Sequence, residues 1–144
     1  MTALYRSEQE MVEELLACLT SGSAPWSPVA TSTEFDYANG RTDVIALLEK
    51  DTVLALEAKL TRWRDALQQA YRNTCFAHRS LVVLPRRAAE RAWAHRGEFL
   101  RRNIGLCSVH GGQVVILIEP GKVSPLLPHL TLKALARLDV EAEA

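Results

Sequence analysis

The strongest constraint on the fold is the run Val53 to Leu60, which is apolar at every position until Glu57 and Lys59 interrupt it. A strand apolar on both faces belongs in the middle of a sheet with helices over both sides, because a solvated face would impose alternation. Trp63 to Ala77 follows as a helix with Trp63, Leu67, Ala70 and Tyr71 on one side. Ser80 to Leu84 is a second wholly apolar strand, stopped by Pro85. Strand, helix, strand in this order predicts a right-handed crossover and a parallel pair.

The flanking segments extend the pattern. Ser7-Glu8-Gln9-Glu10 reads as a capping box, and Met11, Val12, Leu15, Leu16 and Leu19 recur at helical spacing, so a helix is expected from Ser7 to Leu19. Thr33 to Ala38 and Arg41 to Leu48 read as strands joined at Asn39-Gly40, residues that tolerate the positive φ of a hairpin turn. Arg86 to Arg102 reads as one arginine-rich amphipathic helix. Ile104 to His110 and Val114 to Glu119 read as a hairpin around Gly111-Gly112, and Thr131 to Leu138 as a short helix before a frayed Glu141 to Ala144 tail. The expected class is α/β: a mixed sheet flanked by helices in the order α-β-β-β-α-β-α-β-β-α. The 144 residues suit one domain, with a core over about 7–119 and an extension over 120–144.

The opening Met1 to Arg6 leads into a polar, acidic segment rather than an apolar one, and no apolar run approaches membrane-spanning length. No signal, no membrane partner and a cytoplasmic location are therefore expected. Cys18, Cys75 and Cys107 are odd in number and widely spaced, which reads as buried free thiols. His78, His95, His110 and His129 lack ligand spacing and read as surface or helix-end residues. Net charge is zero, yet residues 62–102 hold ten arginines against three acids, a local +7 that leaves −7 on the remainder. That asymmetry fits a phosphate-facing side and an acidic, metal-binding side, or simply a solvated helix surface.

The chemistry concentrates in Asp43 and in Glu57-Ala58-Lys59. Glu57 and Lys59 are two apart on a strand, so both are expected on one face. A charged pair at the end of a core strand is costly unless its members serve each other, a metal or a ligand. If Glu49-Lys50-Asp51 is a three-residue loop, Leu48 faces Thr52 and Asp43 falls opposite Glu57; a shift of one residue sends Asp43 to the other face. Two adjacent carboxylates suit a hard divalent cation, Mg²⁺ or Mn²⁺, that keeps several waters and lowers the pKa of one of them. Lys59 would orient that water or stabilise charge on a phosphate.

Asp43 followed by Glu57-Ala58-Lys59 resembles the Asp and Glu-x-Lys motif of the PD-(D/E)xK nuclease superfamily, which includes restriction endonucleases and Holliday-junction resolvases. The resemblance covers roughly residues 7–119 and implies a restriction-endonuclease-like fold. It also implies metal-dependent hydrolysis of DNA phosphodiester bonds, with Asp43, Glu57 and Lys59 catalytic. Glu8 resembles the helical glutamate that resolvase-like members bring to the metal, although an acid in the first turn of a helix is favoured by the helix dipole alone. Gln69 resembles the glutamine on the helix after the catalytic strand, placed to bond Lys59 or a phosphate, with Gln68 as the competing choice. Glu34 either adds a carboxylate to the site or pairs with an arginine. Arg62, Arg72, Arg86 and Arg87 are the expected phosphate contacts.

So short a chain leaves little room for a separate recognition domain, so a homodimer or a partner subunit is a natural expectation. The competing class is a catalytically silent adaptor that keeps the nuclease fold and binds nucleic acid or protein. A plain assembly domain needs no site at all.

Overall fold

The computed structural model describes residues 5–38 and 40–143. Asn39, half of the expected hairpin turn, lies outside the described residues, as do 1–4 and Ala144.

Helix α1 spans Glu8–Ser21. Ser7 caps it by accepting the Glu10 amide at 3.1 Å, and Gly22 ends it at φ 82°, a left-handed conformation that costs glycine little. Strands β1 (Ala30–Asp36), β2 (Arg41–Leu48) and β3 (Thr52–Ala58) follow, with a 3-10 turn at Glu49–Asp51 between the last two. Leu48 pairs with Thr52, as a three-residue loop requires. Then come α2 (Trp63–Asn73), β4 (Arg79–Pro85), α3 (Arg86–Trp93), α4 (Arg96–Arg102), β5 (Gly105–His110), β6 (Gln113–Ile118) and α5 (Pro128–Glu143).

The strands form one six-stranded sheet in sequence order, β1-β2-β3-β4-β5-β6. β3, β4 and β5 run parallel and the other neighbours antiparallel. One face packs on α1 through Val44, Ala46, Leu54, Leu56, Leu81 and Val83 with Met11 and Leu15. On the other face Ile45, Leu47, Val53 and Ala55 meet Leu130, Ala134 and Leu138 of α5, while Val82, Leu84 and Leu106 meet α2, α3 and α4. Alternate residues of β3 and β4 thus go to opposite cores, which is why both strands read as apolar throughout. Each fully buried leucine, such as Leu54 or Leu56, stabilises the fold by about 1.5–3 kcal/mol. The architecture is α/β, a mixed sheet flanked by helices, consistent with a restriction-endonuclease-like fold.

Three expectations need correction. The arginine-rich segment is two helices, broken at Ala94 and His95; the bend lets His95 and Phe99 both stack on Trp63, at 5.1 and 5.7 Å. Tyr71 is 53% exposed, because one residue beyond the buried Ala70 turns about 100° away. The buried stripe of α2 is instead Trp63, Ala66, Leu67, Ala70 and Asn73. Finally, the C-terminal helix starts at Pro128, whose missing N–H suits a first turn, and continues to Glu143 rather than fraying from Glu141. Cys18 and Cys107 are buried free thiols and Cys75 is half-buried. His78 is half-buried, and its Nδ1 accepts the Val53 amide at 2.9 Å. Among the described residues no helix is long and apolar enough to cross a membrane.

Candidate active site

The site forms where β2 leaves β3. The last regular step of that pair is Val44 with Leu56, so the next residues out are Asp43 and Glu57. On the other side β1 pairs Thr33 with Val44 and Phe35 with Thr42, passing over Glu34, which has a left-handed φ of 50°. Residues two apart on a regular strand share a face, but Thr42 and Val44 do not. The Thr42 hydroxyl bonds Asn73 on α2, whereas Val44 packs in the α1 core. The pleat therefore breaks at Asp43, and this break lets Asp43 open onto a cleft of about 400 Å³ that is also lined by Glu8, Val12, Glu13, Thr33, Glu34 and Ala58.

Asp43 Oδ2 accepts the Ala58 amide at 2.9 Å. Glu57, only 3% exposed, accepts from Asn73 Nδ2 at 2.9 Å. Asn73 is itself fully buried, and its Oδ1 accepts from the hydroxyls of Tyr37 at 2.8 Å and Thr42 at 2.9 Å. Burial first, and then the Asp43 charge and its contacting carboxyl, push Glu57 up to about 9; the Asn73 amide and the Asp43 backbone N–H oppose the rise. Among the described residues neither carboxylate has an ion-pair partner.

Lys59 is not on the Glu57 side as expected. β3 ends at Ala58; beyond it the Lys59 amide still reaches the Val83 carbonyl at 3.2 Å, but Nζ lies 3.8 Å from Glu8 Oε1 on α1. Glu8 in turn accepts the Leu60 amide at 3.4 Å. Glu8 thus borders the cleft with its carboxylate turned to Lys59 and Leu60. The expected set of Asp43, Glu57 and Glu8 is not assembled, and among the described residues no group of three or more Asp, Glu, His or Cys side chains stands together to hold a metal.

Gln69 donates to the Arg41 carbonyl at 2.8 Å, bracing the start of β2 rather than bonding Lys59. Gln68 borders a small groove with Arg64 and Glu98. Glu34 lies on the cleft and, among the described residues, makes no ion pair with an arginine. Of the four arginines, Arg62 is held by Asp65 at 2.7 Å and Arg86 by Glu90 at 3.6 Å. Burial above all pushes the Tyr37 phenol pKa up, and Arg72 lies near enough for its charge to oppose that rise. Because β3 and β4 are parallel, Lys59 and Arg62 beyond one and Arg86 and Arg87 beyond the other lie off the carboxyl ends of these two strands, the end at which helix-flanked sheets bind ligands.

Sequence reasoning missed Tyr37, Thr42 and Asn73. Asn73 carried a readable signal: it continues the Trp63-Ala66-Ala70 spacing, so it is a polar residue on the buried stripe and must find partners.

No family model matches the chain, and no curated protein does. Among solved structures, the SPO1766 protein of unknown function from Silicibacter pomeroyi is 20% identical with a TM-score of 0.55, over 78% of this chain and 73% of that one. SfsA from Pyrococcus furiosus, solved in complex with Ca²⁺, is 13% identical with a TM-score of 0.39, over 78% of this chain and 60% of that one. The likeness to SPO1766 shows a shared fold, and at that identity it shows the fold alone.

Proposed function

We propose that this chain is a metal-dependent phosphodiesterase of the PD-(D/E)xK type, acting on DNA. The observation that carries the reading is the Asp43–Glu57 pair. Two carboxylates stand against each other, one of them buried, with no cationic partner among the described residues and a cleft beside them. Such a pair is an electrostatic cost that a hard divalent cation relieves. The donors fit Mg²⁺ or Mn²⁺: they are oxygens, they are few, and water can fill the remaining positions. Asp43 and Glu57 would hold the ion, which when bound supplies positive charge at the phosphate and acidifies a water.

The chain's own residues bind and orient. Ala58 fixes Asp43 through its amide. Lys59 is 34% exposed, and its 3.8 Å pairing with Glu8 is of the exposed kind worth about 0–1 kcal/mol, so it is readily given up for a phosphate oxygen. Arg87, with Arg62 and Arg86 once they release their acids, would contact backbone phosphates without reading bases. One such site cuts one strand, so a second copy or a partner subunit is part of the proposal for duplex cleavage.

The test is cleavage of plasmid, branched and single-stranded DNA in Mg²⁺ or Mn²⁺ by the wild type, Asp43→Ala and Lys59→Ala. The wild type should cut at least one substrate, and each variant should lose roughly a hundredfold or more in rate. No cutting of any substrate, with no calorimetric heat of Mn²⁺ binding, sinks the reading. One observation favours the silent adaptor instead: Glu57 is only 3% exposed. That alternative expects DNA or protein binding that Asp43→Ala leaves intact, with no cleavage.

A further inference from the structure

We infer that Asn73 is the positioning residue for Glu57, an inference that rests on the phosphodiesterase reading and adds to it the device that orients its buried carboxylate. Asn73 ends α2 and is 0% exposed. A buried side-chain amide can point either way, and its neighbours decide. Here Oδ1 faces two hydroxyls, Tyr37 just past β1 and Thr42 on β2, each able to donate. The other end faces Glu57 Oε1 at 2.9 Å. The reverse orientation would set a carbonyl oxygen against the ionised carboxylate that holds a metal, two acceptors with no proton between them. The two hydroxyls therefore lock the amide so that Nδ2 points at Glu57.

The arrangement reaches Glu57 from α2, from the residue just past β1 and from β2, the strand that also carries Asp43. Were Asn73 only finishing its helix, its side chain would bond the carbonyls of the last turn, and its observed bonds go to Tyr37, Thr42 and Glu57 instead. Ser80 pins the same stretch of α2 to β4 by donating to the Ala70 carbonyl at 2.6 Å, so the amide is presented from a fixed support. With one Glu57 oxygen occupied by Nδ2, the carboxylate is held beside Asp43 in a single orientation.

The experiment is calorimetric titration with Mn²⁺, alongside thermal melts, of the wild type, Asn73→Ala, Thr42→Val and Thr42→Ser. Thr42→Val is close to isosteric and supplies a folded test protein should Asn73→Ala fail to fold. A positioning role predicts that Asn73→Ala and Thr42→Val weaken Mn²⁺ binding at least tenfold in the folded protein, and that Thr42→Ser, which returns a hydroxyl, recovers the affinity. A purely structural role would lower the melting temperature and leave affinity unmoved. Equal affinity in the wild type, Asn73→Ala and Thr42→Val overturns the positioning role and leaves the phosphodiesterase reading standing. A loss in Thr42→Ser as large as in Thr42→Val also overturns it, because the effect then belongs to packing. A wild type that neither binds Mn²⁺ nor cuts DNA overturns the phosphodiesterase reading, and the positioning role falls with it.

Discussion

Asp43 is tied to Ala58 side chain to backbone, Oδ2 accepting the amide at 2.9 Å, just past the last regular step of the β2–β3 ladder at Val44 and Leu56. A carboxylate takes the place of a ladder carbonyl there. It satisfies an amide in a strand whose residues are all buried, and it keeps Asp43 beside Glu57 although the two strands are parting.

Asp43→Asn separates the charge from this bond. Asparagine still offers an oxygen to the Ala58 amide but no longer repels Glu57. In EDTA above about pH 9, where Glu57 is ionised in the native state too, it should be more stable than the wild type. Asp43→Ala also strands the amide, at a cost of about 1–3 kcal/mol, and should be the less stable of the two variants. Neither should be stabilised by Mn²⁺. Urea denaturation with EDTA or Mn²⁺ measures all three statements; an Asn variant weaker than the Ala variant would contradict the role given to the carboxylate.

Glu57 should make stability depend on pH in a particular direction. Its folded pKa is pushed up to about 9 by burial and by Asp43, from 4.5. A carboxyl raised in this way stays protonated in the native state where the unfolded chain has already ionised. The metal-free protein therefore loses stability as pH climbs from about 4.5 towards 9, with a limiting slope of about 1.4 kcal/mol per pH unit. Glu57→Gln keeps an oxygen for Asn73 and removes the titration, so its advantage over the wild type should widen as pH rises. Parallel stability curves between pH 5 and 9 would refute this.

Much of this site was legible in the sequence because strand register is arithmetic. A three-residue loop after Leu48 places Asp43 opposite Glu57, and the pairing of Leu48 with Thr52 bears out that premise. The pleat break at Asp43 was not legible. It depends on Glu34 adopting φ 50°, which nothing in Thr33-Glu34-Phe35 announces. Lys59 was misplaced because strand parity was extended past the true end of β3 at Ala58. Asn73 was missed because Tyr71 was given the stripe position, an angular error of about one residue.

On the proposed reading, Arg87 contributes through charge and not through base recognition. It has no ion pair among the described residues, whereas Arg62 and Arg86 are paired with Asp65 and Glu90. Arg87→Gln should therefore weaken duplex DNA binding to a similar extent for unrelated sequences. It should also reduce the slope of log K against log salt by about 1. Fluorescence anisotropy across a salt series tests this, and an unchanged slope would remove Arg87 from the interface.

Gly40 is held to glycine by the hydroxyl that orders Asn73. A Cβ there would lie 2.8 Å from Tyr37 Oη and 3.2 Å from Gln69 Nε2. Tyr37 has no room to move: it is fully buried, with Phe35 and Phe76 against its ring at 6.0 and 4.8 Å between centroids. Gly40→Ala should therefore cost about 1–3 kcal/mol as overpacking and push the hydroxyl away from Asn73. Tyr37→Phe alone should cost about 1 kcal/mol for the lost hydrogen bond. In the double variant the 2.8 Å contact is gone and only the tight 3.2 Å approaches to the ring carbon Cζ and to Gln69 Nε2 remain, so the two penalties should not add. The double variant should be more stable than Gly40→Ala alone. If a denaturation cycle on the four proteins returns simple additivity, the close approach is not to the Tyr37 oxygen, and the link from the β1–β2 turn through Tyr37 to Asn73 is broken.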